Sequence, residues 1–269
     1  MQHLIIFTRV PKAGKCKTRF MPEWPGEVCA DLQSALLQDY LLGVGGLAGP
    51  KDSKESWKAY LFYTPGLEEV ELRHQVKIPR SIDLIPQDLG TLGERMDEAM
   101  QRVKKRAAPD DLLFITGSDI PGISPGLLTQ IVEQLRSAPV LPPSKEPPQP
   151  FCRKPYIMGP SPDGGYYLLG CQAQDYFPSA LNPPAIEWSS DTVLDRTTAF
   201  LASLGIPTLL GPTLIDLDTV EDLDRWLQNR GCSYASILAG DPLPMTRFKD
   251  HPTLAYFLST LKDRLEAES

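Results

Sequence analysis

The run Leu112-Leu113-Phe114-Ile115-Thr116-Gly117-Ser118-Asp119-Ile120-Pro121 decides the fold. An apolar stretch stops abruptly at a small residue, a hydroxyl and a carboxylate, and Ser124-Pro125 then supplies a helix cap and a first-turn proline. The pattern is that of a buried parallel strand carrying Asp119 to its carboxyl end. Open α/β sheets bind ligands at that edge. Asp119 is therefore a candidate for holding a divalent cation against a phosphate; the structural alternative is a carboxylate that shapes a strand-to-helix turn.

Working outward, similar strand-like runs occur at 4–7, 59–63, 82–85, 156–158, 166–169 and 207–215, separated by helical patterns. This alternation predicts an α/β fold, a three-layer α/β/α sandwich around a mostly parallel sheet. The clearest helix spans about 91–106. Leu92, Met96, Ala99 and Val103 share one face, Glu94, Asp97 and Glu98 lie near its start, and Lys104-Lys105-Arg106 end it. A second runs over about 191–204, with Ser189 or Ser190 as its cap and Val193, Leu194, Thr197, Phe200, Leu201 and Leu204 facing inward. Thr219-Val220-Glu221-Asp222 opens a third with a capping-box pattern leading to Trp226 and Leu227.

Residues 1–230 of the 269 read as one domain, with a Pro-rich inserted loop at 138–155 whose composition does not repay the entropy of packing. Residues 231–269 form an extension with one amphipathic helix bearing Leu254, Phe257, Leu258, Leu261 and Leu265. That helix needs a partner surface, either the body of the domain, which is preferred, or a second subunit in a homodimer. The net charge of −7 argues against a nucleic-acid binder that works by broad phosphate neutralisation. The first residues enter a strand with neither a signal peptide nor a membrane span, which predicts a soluble, cytoplasmic protein. Five scattered cysteines (Cys16, Cys29, Cys152, Cys171, Cys232) lack metal or disulfide spacing and read as free thiols.

Four further stretches carry chemistry. Thr8-Arg9-Val10-Pro11-Lys12-Ala13-Gly14-Lys15-Cys16-Lys17-Thr18-Arg19 follows the first strand with five cations and one glycine. It is a candidate diphosphate loop, with Arg9, Lys17 and Arg19 favoured, or else a solvated basic loop. It is not a Walker A loop, since Arg9 replaces the first glycine and Cys16 the magnesium-binding hydroxyl. Gly43-Val44-Gly45-Gly46-Leu47-Ala48 resembles a dinucleotide fingerprint in spacing only and reads as a helix stop. Gly90-Thr91-Leu92-Gly93-Glu94-Arg95 starts a helix whose free amides could meet an anion or a base. In Gly159-Pro160-Ser161-Pro162-Asp163-Gly164-Gly165-Tyr166-Tyr167, a carboxylate sits on a tight turn with tyrosines placed to frame a flat or sugar-like ligand; an ordinary hairpin turn is the alternative. Finally, strand alternation would send Asp216 and Asp218 to one side, where either or both could complete an oxygen-ligand set for Mg2+ or Mn2+ with Asp119; Asp218 could instead only assist the next helix cap.

These pieces occur in order: Lys17-Thr18-Arg19, Gly90-x-Leu-Gly-x-Arg-Met96, Gly117-Ser-Asp-x-Pro121, Gly159-Pro-x-x-Asp-Gly-Gly-Tyr-Tyr167, Trp188-Ser-Ser190 and Asp216-x-Asp-Thr-x-Glu-Asp-Leu223. Together they resemble a glycosyltransferase-A-like family, some of whose members are labelled arsenosugar-biosynthesis glycosyltransferases. The resemblance covers roughly residues 3–230 and implies a nucleotide-diphospho-sugar transferase fold, with nucleotide over the amino-terminal half and acceptor over the carboxyl-terminal half. It implies Asp119 as the metal and diphosphate carboxylate, Asp218 as the late metal-ligand position of related nucleotidyltransferases, Asp163 with Gly164-Gly165 as the sugar-side turn, and Glu187-Trp188 near the acceptor. The Pro-rich insertion and the tail beyond Arg230 exceed the family pattern. The leading expectation is glycosyl transfer from a nucleotide sugar to a small-molecule acceptor, with Asp163 or Glu187 as base. The alternatives are nucleotidyl transfer from an NTP with pyrophosphate release, and nucleotide-sugar binding without turnover.

Overall fold

The structure, a computed structural model, describes residues 1–47, 56–64, 69–140, 154–181, 186–188 and 190–268. At its centre lies β1 (Gln2–Thr8), six of whose seven residues are buried, as expected of a strand covered on both faces. It pairs in parallel with β2 (Trp57–Tyr63) on one side and β4 (Leu112–Gly117) on the other, so Ile5 lies between Tyr60 and Ile115. β3 (Asp83–Pro86) extends the sheet beyond β2. Beyond β4 come β6 (Tyr166–Gln172), β5 (Tyr156–Pro160) and β7 (Thr208–Leu210), giving the order β3-β2-β1-β4-β6-β5-β7 among the described residues. β6 alone of these strands runs antiparallel to its neighbours.

Side-chain alternation divides the sheet residues between two cores. On one face Leu4, Ile6, Leu61, Phe114 and Leu168 pack with α1 (Gly26–Gly45), α2 (Glu69–Gln75) and α4 (Pro125–Ser137). On the other Ile5, Phe62, Leu113, Ile115 and Leu169 pack with α3 (Leu92–Lys104) and α5 (Val193–Ser203). Each fully buried aliphatic side chain contributes about 1.5–3 kcal/mol, and this burial holds the three layers together. Ser124 caps α4 by accepting the Leu127 N–H at 3.2 Å, with Pro125 in the first turn, as the sequence predicts.

A third core lies outside the sheet. The first half of α1 meets Phe20, Trp24 and the carboxyl-terminal helices α6 (Val220–Gln228), α7 (Tyr234–Ala239), α8 (Pro252–Ser259) and α9 (Leu261–Ala267). The apolar residues of the extension are thus covered by α1, and the single helix expected there is two helices broken at Thr260. α8 has no cap of its own. Asp39, buried in the middle of α1, accepts the Thr253 and Leu254 N–H groups at 2.9 and 2.8 Å. Asp39→Ala is expected to cost about 2 kcal/mol, the loss of two charge-assisted hydrogen bonds. Hydrogen exchange should speed up selectively over 252–267, and uniform exchange across the chain would show that Asp39 does not anchor this end.

Three other expectations are corrected. The strand placed at 207–215 ends at Leu210: the Gly211 N–H still reaches the Met158 carbonyl at 2.8 Å, but Pro212 has no N–H with which to continue the ladder. The α5 cap position belongs to Thr192, which makes no side-chain capping bond, while Ser190 Oγ lies 3.0 Å from Thr192 Oγ1; Ser189 is outside the described residues. The 91–106 helix is shorter, 92–104, with Thr91 and Glu94 forming a reciprocal capping box. The Gly43–Ala48 stretch holds the end of α1, as read from the sequence, with Ala48 outside the described residues. Most of the 138–155 loop, and Cys152 within it, also lie outside them; Cys16, Cys29 and Cys232 are free thiols. Among the described residues no helix is long and apolar enough to cross a membrane.

At the amino-terminal end of β1, His3 is buried with Nδ1 3.1 Å from the Tyr60 hydroxyl and Nε2 3.2 Å from Asp111 Oδ2. Burial lowers its pKa from 6.5 and outweighs the opposing pull of Asp111. The unfolded chain then binds the proton more readily, so stability should fall as pH drops below about 6.5. His3→Gln should reduce the Tm difference between roughly pH 7.5 and pH 5.5; an unchanged difference would mean that His3 is not a source of the acid sensitivity.

Candidate active site at the carboxyl edge

Sheet order brings the chemistry-bearing loops to one edge. Because β1 and β4 are parallel neighbours, the basic loop after Thr8 and the Gly117-Ser118-Asp119 turn leave the sheet side by side. Because β6 runs the other way, the turn before it, Ser161–Gly165, lies at that edge as well. After β7 the chain crosses the same edge, bonding Leu214 N–H to the Pro160 carbonyl at 3.1 Å and Leu217 N–H to the Asp119 carbonyl at 3.1 Å. This crossing, rather than strand alternation, delivers Asp216 and Asp218.

Lys17 sits at the meeting point. Its ammonium donates to Asp119 Oδ2 at 2.9 Å and Asp218 Oδ1 at 3.1 Å, and Arg19 Nη1 donates to Asp218 Oδ2 at 3.3 Å. The Lys17 side chain is 2% exposed and its backbone is left-handed, φ +48°, which is uncommon for a residue with a Cβ. Burial alone would drive the ammonium down, but the two carboxylates outweigh it and hold its pKa above the ordinary lysine value. Burial likewise opposes the charge on Asp218, yet Lys17 and Arg19 bring its pKa below the usual carboxylate value. Asp216 lacks that support: burial and the charges of Asp163, Asp218 and Asp119 push it up to about 7.

A cleft of about 670 Å³ opens beside this cluster. Arg9, Lys15, Lys17, Arg19, Asp119 and Asp218 line one part of it, Leu92, Arg95 and Met96 another, and Tyr166, Tyr167 and Trp188 a third. Its floor is a polar network that joins Ser118 and Arg95, both candidates from the sequence, to Thr8, Gln33 and Gln87, which are not. Ser118 Oγ donates to Thr8 Oγ1 at 2.9 Å, and Gln33 Nε2 from α1 reaches Thr8 Oγ1 at 3.4 Å and Ser118 Oγ at 3.3 Å. Gln87 donates to the Phe62 and Thr8 carbonyls at 2.9 and 3.3 Å and accepts from Arg95 Nη1 at 2.6 Å, which fixes that guanidinium in the cleft wall. No local signal marks Gln33 or Gln87, since an isolated glutamine looks the same on a surface helix.

The other predicted residues divide. Lys12 turns to Glu71 of α2 at 3.1 Å and does not line the cleft. Arg9 lines it, its Nη1 making a long 3.5 Å contact to the Lys15 carbonyl. Gly93 is buried in the first turn of α3, where the Thr91–Glu94 capping box already takes amides that the sequence reading offered to an anion. Ser118 is committed to Thr8. Asp163 Oδ1 accepts the Ser161 hydroxyl at 2.5 Å and the Gly165 N–H at 2.9 Å, an Asx-type turn that directs the hairpin. Gly164, at φ +86°, packs against the Asp191 backbone, and its carbonyl accepts the Leu194 N–H at 2.9 Å. The Tyr166 hydroxyl is buried and Tyr167 donates its own to the Pro212 carbonyl at 2.9 Å, so only their rings are left to frame a ligand. Trp188 lines the cleft, whereas Glu187 is exposed and outside its lining.

The chain has the nucleotide-diphospho-sugar transferase fold. A crystal structure from Desulfovibrio desulfuricans G20, provisionally named a nucleotide-diphospho-sugar transferase, matches 99% of this chain and 97% of its own with a TM-score of 0.74 at 22% identity. A 4-diphosphocytidyl-2C-methyl-D-erythritol synthase from Anaerococcus prevotii DSM 20548 matches with a TM-score of 0.47 at 10% identity, over 85% of this chain and 98% of its own. No curated protein matches the chain in sequence. Residues 51–190, more than half of the chain, match the family described as uncharacterized protein conserved in bacteria (DUF2064), and the chain belongs to that family.

Proposed function

We propose that this protein is a glycosyltransferase that takes a sugar from a nucleotide-diphosphate donor bound in the carboxyl-edge cleft and passes it to a small-molecule acceptor. The observation that carries the reading is the convergence of Lys17, Arg19, Asp119 and Asp218 beside a cleft that Arg9 and Lys15 also line. Nucleotide-sugar chemistry builds negative charge on the departing diphosphate, and fixed cations in a partly buried site stabilise that charge with little reorganisation. Arg9 and Arg19 suit the role because a guanidinium offers forked donors to phosphate oxygens. The apolar wall of Leu92 and Met96 suits a nucleoside, and the Tyr166 and Trp188 rings suit a sugar or acceptor.

Asp119 and Asp218, with Asp216 next to them, offer hard carboxylate oxygens, the donor type that fits Mg2+ or Mn2+. Among the described residues no three such groups already stand as a cage, and Lys17 holds two of the oxygens. When bound there, a divalent ion would supply Lewis-acid stabilisation of the leaving diphosphate. Asp163, which stands near Asp216, is the preferred base for an acceptor hydroxyl, with Oδ2 left free of the turn bonds on Oδ1, whereas Glu187 is exposed and outside the cleft lining.

The test is a thermal-shift panel of UDP-, GDP-, CDP- and ADP-sugars and of NTPs, with and without Mn2+, followed by product analysis with the best binder. A rise in Tm with a nucleotide sugar, and sugar-dependent release of NDP, is the expected result. Pyrophosphate release from an NTP would replace glycosyl with nucleotidyl transfer, and silence across the whole panel would overturn the proposal.

A further inference from the structure

We infer that the Lys17 ammonium is the resident cation of the Asp119–Asp218 pair and that a divalent ion enters only by displacing it. The inference rests on reading this edge as the cation and diphosphate site. One ammonium is shared by two carboxylates from turns 99 residues apart in the chain, at 2.9 and 3.1 Å, with Arg19 on the remaining oxygen of Asp218. Within these ion pairs two carboxylates meet two cations, and Asp216 stands close enough to feel the charges of Asp119 and Asp218. A doubly charged ion placed against the same oxygens would face the ammonium across a few ångströms in a partly buried setting, where like charges repel strongly. Ion and ammonium therefore compete for one position.

Lys17 occupies the left-handed region in a loop whose neighbour Gly14 is also left-handed, at φ +73°, with open space where a side chain would be. Displaced by an ion, the ammonium would be released within a cleft that Lys17 lines together with Arg9 and Lys15. In that arrangement the lysine adds to the cations available for a diphosphate, so ion binding and donor binding reinforce one another. Lys17 is thus a positioning residue that sets the affinity of the site for divalent ions.

The experiment uses the full chain without nucleotide. Mn2+ binding is measured by electron paramagnetic resonance for wild type, Lys17→Met, Lys17→Arg and Lys17→Met/Asp218→Asn, with Mn2+-dependent Tm as a second readout. Lys17→Met should bind Mn2+ at least about tenfold more tightly than wild type and gain more Tm from it, because the neutral side chain leaves two carboxylates facing each other. Lys17→Arg should stay at the wild-type level, and the double variant should lose the gain. If Lys17→Met binds Mn2+ no more tightly than wild type, or if the double variant keeps the gain, the inference is overturned. Should Lys17→Met fold only with Mn2+ present, that rescue supports it, whereas a Lys17→Arg protein with the same tenfold gain overturns it. Failure of the glycosyltransferase reading is recognised separately, as no response to any nucleotide sugar in the wild-type protein.

Discussion

Asp218→Ala should weaken nucleotide-sugar binding by roughly 100-fold and destabilise the protein by about 3 kcal/mol. The carboxylate accepts from both Lys17 and Arg19, so its removal leaves a buried ammonium with one partner and an arginine with none of its ion-pair contact. Losing this partner costs more than the pair itself contributes, because the Lys17 ammonium has already left water, whereas the half-exposed Arg19 regains solvent and adds little. At this chain length the destabilisation corresponds to a fall in Tm of roughly 8 °C. Thermal unfolding and calorimetric titration with the best nucleotide sugar measure the two effects. A variant with wild-type affinity would remove Asp218 from the site, and one with lower affinity but unchanged Tm would show that Lys17 is satisfied by Asp119 alone.

Gly164→Ala should be the most damaging single-methyl addition at the candidate site. A Cβ at this position would lie 2.0 Å from the Asp191 carbonyl oxygen and 2.4 Å from its carbon, and φ is +86°. The obstacle is backbone, so no rotamer change relieves it. The β5–β6 turn must separate from the start of α5 and break the Leu194 N–H bond to the Gly164 carbonyl. A cost of at least about 3 kcal/mol follows from adding overpacking to left-handed strain. Gly14→Ala is the control: it carries the same kind of strain, at φ +73°, but nothing lies within 4 Å of the added carbon, so about 1 kcal/mol is expected. Denaturant titration of the two variants side by side tests the difference; equal losses would mean that the turn yields without resistance.

Much of the architecture could be read from local pattern. Strands such as Leu4–Phe7 and Leu112–Thr116 stand out because burial on both faces demands an unbroken apolar run, and a run of that length needs no knowledge of its neighbours. The Thr219–Asp222 capping box and the Ser124-Pro125 start were legible for a related reason, since a cap is completed within four residues. Local pattern misled where a distant partner decides. Lys12 is as basic as Lys17, yet one pairs with Glu71 and the other is enclosed by two aspartates. The 207–215 run is apolar enough for a strand, but from Gly211 it serves as a crossing over the edge. The broken tail helix and its cap from Asp39 depend on a residue more than two hundred positions away.

The amino-acid order by itself determined the main strands and helices and which turns carry aspartate, arginine and lysine, because burial pattern, capping and turn chemistry act over a few residues. Only the tertiary structure decided that β4 neighbours β1, that β6 is reversed, and that the chain after β7 returns past Asp119. Those choices join Lys17 to side chains 102 and 201 residues away. They turn on the competition among whole packing arrangements, and no stretch of sequence short enough to read on its own contains both partners.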